Sequence, residues 1–133
     1  MSDKVVIRSE HLSKPIGVFS QAVRIPAGRE LLFISGLTSR NRNGDIHAPN
    51  DVGSQTRQIL ENMVALLSEV GATLEDLVKV TIFVRDIGDV GAINEVRREY
   101  FHGDPPASSL VQVAALADQR LRVEIEGIAL LPA

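Results

Sequence analysis

Cysteine is absent from all 133 residues, which removes disulfide scaffolds, thiolate metal sites and thiol catalysis together. A basic excess is missing too, with 14 Lys and Arg against 17 Asp and Glu and a formal charge of −3. Nothing in that balance neutralises a phosphate backbone, so nucleic acid is not the expected partner. Histidine is sparse: His11, His47 and His102 lie scattered, without a His-x-x-x-His or Glu-x-x-His spacing. Solvated loop histidines are the expectation, and no metal site. No apolar run approaches membrane-spanning length, and the opening "MSDKVVIRSEH" lacks the apolar core of a signal peptide. The chain therefore reads as cytoplasmic, with no membrane partner. No repeat, low-complexity stretch or linker interrupts it, so residues 1–133 are expected to form a single domain. A G-x-S-x-G elbow is also lacking, and Ser108-Ser109 has no histidine nearby in sequence to act as a base.

What is present alternates between strand and helix patterns. "VVIRS", "QAVRI" and "ELLFIS" read as strands, the last two separated by "PAGR" and expected to form a hairpin. "GLTSRNRNGDIHAPND" is rich in Gly, Asn, Asp and Pro and reads as a long exposed loop. Asp51 suits an N-cap. After it Val52, Thr56, Ile59, Met63, Leu66, Leu67 and Val70 recur at helical spacing, and Gly71 suits the C′ position. "LVKVTIFVRD" alternates as a strand, with Val78, Val80, Ile82 and Val84 on one side. A second helix is expected over Val90 to Phe101, with Ile93, Val96, Tyr100 and Phe101 inward. "SLVQVAAL" and "LRVEIEGIALL" complete the strands. The order β-β-β-α-β-α-β-β gives an α+β fold, two helices on one face of a mostly antiparallel or mixed six-stranded sheet. The other sheet face needs a cover, and a ring of copies would supply one.

Two features carry candidate chemistry. Arg40 and Arg42 in "GLTSRNRNG" are either anion-binding groups or members of a solvated loop. Glu124 and Glu126 share one face of a strand between valine and isoleucine. They are exposed-face residues, ion-pair partners for Lys79 or Arg122, or buried acid–base groups; the ion pair is the first expectation.

With these residues in view, the chain resembles the Rid family, the RidA/YjgF-type reactive-intermediate imine deaminases. The likeness runs through "PIGVFSQAV", "LLFISGLT", "QTRQILENMVALLSEVGATLEDLVKVTIFVRDIGD", "INEVRREYF", "PPASSLVQVAAL" and "VEIEGIAL". It implies a chorismate-mutase-like fold and a homotrimer, with a central barrel and clefts between subunits. It also implies hydrolysis of small enamines and imines to 2-oxo acids and ammonia, with no metal or organic cofactor. In such a site an arginine in "P-A-R-S" grips the substrate carboxylate, since a guanidinium fork offers two aligned charged donors. A glutamate in "E-I-E" assists water attack.

Carried over residue by residue, Glu124 matches the water-assisting glutamate, Gly36 the glycine of the "SG" turn and Asn94 the asparagine. Phe19 stands where many members have tyrosine. Ser108 stands where the arginine belongs, with "PA" before it and "S-x-V-x-V" after it without a gap. A serine hydroxyl cannot reproduce a bidentate clamp. Loss of one partner of a desolvated charged pair costs on the order of 2–5 kcal/mol, roughly 30-fold to a few thousandfold in kcat/KM. Weak or no activity on 2-aminoacrylate-like imines is therefore expected. Three outcomes fit the change. The cleft serves a ligand recognised by something other than a carboxylate, with Phe19 and Leu110 making it more apolar. Arg40 or Arg42 supplies the guanidinium instead. Or the trimer is catalytically inactive and binds a small metabolite or a protein partner. A ribonuclease reading, attached to the family by name, is disfavoured by the charge and the lack of base-stacking aromatics.

Overall fold

In the computed structural model, which describes residues 2–133, the expected order of elements is observed. It runs β1 (Val5–Ile7), β2 (Ala22–Arg24), β3 (Leu31–Leu37), α1 (Val52–Ser68), β4 (Leu77–Val84), α2 (Val90–Tyr100), β5 (Ala107–Gln112) and β6 (Val123–Leu130). Two helices pack on one side of a mixed sheet of six strands. Four strands are hydrogen-bonded in the order β3-β6-β4-β5, and β1 pairs with β2. That pair joins the edge of β5 through one parallel bridge, Ser20 to Ala107, where the Ser20 amide donates to Pro106 O at 3.0 Å.

The expected hairpin between β2 and β3 does not form. β2 pairs with β1, Val23 opposite Val6, while β3 pairs with β6. These partners lie at opposite ends of the sheet, so "PAGR" is a crossing rather than a hairpin turn. The reason is burial: β3 carries Ile34 into the core, whereas the short β2 alternates half-buried and exposed at the edge. β4 and β5 run parallel, which requires a crossover, and α2 provides it.

Local chemistry sets the helix ends. Asp51 caps α1, its carboxylate accepting from the Ser54 amide at 3.1 Å. At the other end the Ala72 amide donates to Leu67 O and the Gly71 amide to Ser68 O, a Schellman closure. Gly71 takes φ +71 there, which any side chain would resist. Between the caps Ile59, Met63 and Leu67 are fully buried, joined by Ile93 of α2 and by Val80, Ile82, Val84, Val123 and Ile125 of the sheet. Each such side chain contributes about 1.5–3 kcal/mol of burial. Leu66 and Val70, expected inward from spacing, are more than a third exposed. A register shift between Leu77 and Lys79 buries Leu77 and lifts Val78 out of the expected alternation.

The opposite sheet face is open. Leu31 and Phe33 of β3 and Val111 of β5 are exposed there, Phe33 at 73%. No helix among the described residues is long and apolar enough to cross a membrane.

Candidate functional site

The residues singled out in the sequence fall into separate places. The parallel register sets Ser108 beside Val80 and Leu110 beside Ile82. Val80 and Ile82 point into the helix layer, so Ser108 and Leu110 face it too. α2 passes over them with Asn94 and Arg97, one turn apart on one face. The segment before β2 closes the space, bringing Gly17 and Phe19. A cavity of about 240 Å³ results, lined by Gly17, Phe19, Asn94, Arg97, Ser108 and Leu110 among others.

Arg97 is the unexpected member. It is 3% exposed, yet no carboxylate pairs with it among the described residues. Its Nη1 donates to Asn94 Oδ1 at 3.3 Å and its Nη2 to Ser108 Oγ at 3.5 Å, both long and both to neutral oxygens. The guanidinium carbon lies 5.8 Å from the centre of the Phe101 ring. Burial without a countercharge lowers its pKa to about 10. A guanidinium carries five N–H donors, so most of its capacity is uncommitted.

Glu124 lies on the other face. It is opposite Phe83 across the ladder, while its neighbours Val123 and Ile125 enter the core. A second cavity of about 300 Å³ is lined there by Phe83, Val113, Leu116, Glu124 and Glu126 among others. Gly36 stands directly against Glu124, and a Cβ at Gly36 would collide with its carboxylate. The β3–β6 register shifts between Ile34 and Leu37, and that irregularity holds Gly36 close.

The ion pairs expected of Glu124 and Glu126 do not form among the described residues. Lys79 Nζ donates to Ser109 Oγ at 2.9 Å, and Arg122 pairs with Asp89 at 2.9 Å. Neighbouring strands and the start of α2 offer these cations nearer partners. Arg40 donates to Gly44 O at 2.8 Å within its own loop. The Asp118 carboxyl is held well below the usual range, mainly by Arg120 and least by Arg40, so Arg40 lies near the β5–β6 connection. Neither Arg40 nor Arg42 lines the cavity at Ser108.

Two further polar residues are buried near these cavities. Arg97 was legible as a cation on the inward face, four residues from Ile93 and three from Asn94. Gln55, fully buried, donates to Ala48 O and Arg120 O and accepts from the Arg122 amide at 2.7 Å. It thereby fixes the entry to β6, two residues before Glu124.

Similarities to known proteins agree with this architecture. Residues 10–131 match the family model described as Endoribonuclease L-PSP. A RutC family protein of Pyrococcus horikoshii is 40% identical, over 95% of this chain and 97% of its own. A 2-iminobutanoate/2-iminopropanoate deaminase of Dermatophagoides farinae is 36% identical, over 98% and 99%. The crystal structure of YyfB, a protein of the Rid family from Yersinia pestis, superposes with a TM-score of 0.89. It is 34% identical and covers 97% of this chain and 99% of that one. The fold and these matches together make the chain a member of the Rid (YjgF, endoribonuclease L-PSP) family.

Proposed function

We propose that this chain is a small-molecule hydrolase of the enamine/imine deaminase type, working without a cofactor in clefts between the subunits of a homotrimer. The observation that carries the reading is Glu124, a carboxylate without an ion-pair partner among the described residues, set against the Gly36 backbone at a cavity lined by Phe83, Val113 and Leu116 beside Glu126. In the reaction the oxygen of a water bonds to the imine carbon while Glu124 takes a proton. That proton passes to the nitrogen and leaves a carbinolamine; Glu124 then moves the hydroxyl proton to the same nitrogen as the C–N bond breaks and the C=O forms, and ammonia and a carbonyl product leave. Ser108 and Phe19 at the other cavity make the specificity differ from that of relatives with arginine and tyrosine at these places. Activity on 2-aminoacrylate-like imines is accordingly weak or absent. The exposed apolar face around Phe33 supports assembly into a ring.

The test is hydrolysis of imines generated in situ by an amino-acid oxidase, with semicarbazide as competing trap. Glu124→Gln should abolish turnover while ligand affinity stays near wild type. Turnover unchanged in Glu124→Gln would sink the assignment. Binding without turnover in the wild type would favour the non-catalytic reading instead.

A further inference from the structure

Arg97 is buried, uncharged neighbours take only two of its donors, and a cavity opens beside it. A desolvated guanidinium without a carboxylate is costly, and such a group persists where an anion completes it. We propose that Arg97 is the anion-recognition residue of this chain, gripping the carboxylate of a 2-oxo or 2-imino acid between Asn94 and Ser108. Arg97 approaches from α2, behind the strand position that Ser108 occupies. Its planar fork matches a carboxylate bidentately, which neither Asn94 nor Ser108 achieves alone. The C-terminal turn of α2 favours a cation at this place and keeps Arg97 charged.

The placement also sets the length of the ligand. An arginine at position 108 would carry its charge several bonds out from the strand. Arg97 instead holds its guanidinium at Ser108 Oγ, on the strand itself. The carboxylate consequently sits deeper, and the rest of the molecule must reach further to meet the acid–base group. Acids longer than three carbons are therefore preferred, which accounts for poor use of 2-aminoacrylate-like imines. This preference rests on the hydrolase reading, whereas anion binding by Arg97 does not.

Calorimetric titration on the intact protein tests both parts, with 2-oxohexanoate, pyruvate and the neutral amide of 2-oxohexanoic acid as probes. The wild type should bind 2-oxohexanoate more tightly than pyruvate, and the amide at least roughly 30-fold more weakly than its acid. Arg97→Met should lose a similar factor for the acid and leave the amide unchanged. Arg97→Met/Ser108→Arg should regain binding and shift the preference toward pyruvate. Equal affinity of wild type for acid and amide would overturn the proposal, and that arm needs no variant to fold. So would dissociation of an Arg97→Met oligomer with acid binding intact, because the partner of Arg97 would then be a carboxylate of a second copy. Binding that depends on Arg97 without imine turnover would spare this inference and sink the hydrolase reading. Turnover indifferent to Arg97 would do the reverse.

Discussion

Replacing Arg97 by methionine should stabilise the folded chain while it removes acid binding, a pairing that a residue kept for the fold does not produce. Burial disfavours the charged form enough to lower the pKa from the ordinary guanidinium value to about 10. At about 1.36 kcal/mol per unit, that cost is on the order of 3 kcal/mol. The approach to Phe101 returns about 1 kcal/mol, and the two long hydrogen bonds together about 1 kcal/mol. Methionine keeps much of the stem volume without the charge, so a net gain of roughly 1 kcal/mol is expected, a few degrees in Tm for a chain of this size. Since folding holds Arg97 below its solution value, the penalty is complete at pH values under about 10 and is relieved only above that. The gain should therefore be flat between about pH 6 and pH 9. Urea denaturation at fixed chain concentration reads it as a higher midpoint with an unchanged slope. Added 2-oxohexanoate at a hundred times its wild-type Kd should raise wild-type stability by about 2.7 kcal/mol and the variant by no more than about 1 kcal/mol. A lower midpoint for Arg97→Met would refute the reasoning, because the guanidinium would then be holding the fold rather than waiting for an anion.

Gly36→Ala puts a methyl group into the Glu124 carboxylate. It should lose most imine turnover in the trapping assay, while costing about 1–3 kcal/mol in urea denaturation. Ile59→Ala empties a fully buried site between helix and sheet and should lower stability by about 2–5 kcal/mol, read by the same denaturation. Phe33→Asp sets a charge on the exposed apolar face, and sedimentation should show a smaller species than wild type. An unchanged sedimentation coefficient would place the subunit contact elsewhere.

The sequence was read best where periodicity and burial coincide. The alternation in β6 and the spacing of Ile59, Met63 and Leu67 survived because one face of each meets the core. Pairing was less legible. A short separation with Gly28 suggested a β2–β3 hairpin, but nothing local records that β3 buries Ile34 beside β6 at the far edge. Polar roles were hidden for a similar reason. The spacing of Arg97 from Ile93 marks its face of α2 but not its missing countercharge, and nothing in the pattern of α1 marks Gln55 as buried. Arg40 and Arg42, neighbours of Gly36 in sequence, lie outside the cavity at Ser108. The cation beside Ser108 comes instead from one turn beyond Asn94, across a parallel crossover that sequence distance does not reveal.

The same register bears on how the site works. Ser108 shares its face with Val80, under the helices, and Glu124 shares its face with Phe83, on the open side. No rotamer change carries a side chain through a hydrogen-bonded sheet, so the proposed anion-binding residue Arg97 and the proposed acid–base residue Glu124 of one chain remain apart. The two halves complete a site only if the anion pocket of one copy meets the Glu124 cavity of another. A contact of that kind uses different surfaces on its two sides, and such contacts close into rings rather than two-fold dimers. Release of single subunits should then abolish hydrolysis while each chain still binds 2-oxohexanoate through Arg97. Mixing Glu124→Gln with Arg97→Met chains extends the argument, because each variant lacks a different half. Recovered turnover in the mixture, from subunits individually inactive, is expected of a shared cleft; none would return if both halves served within one chain.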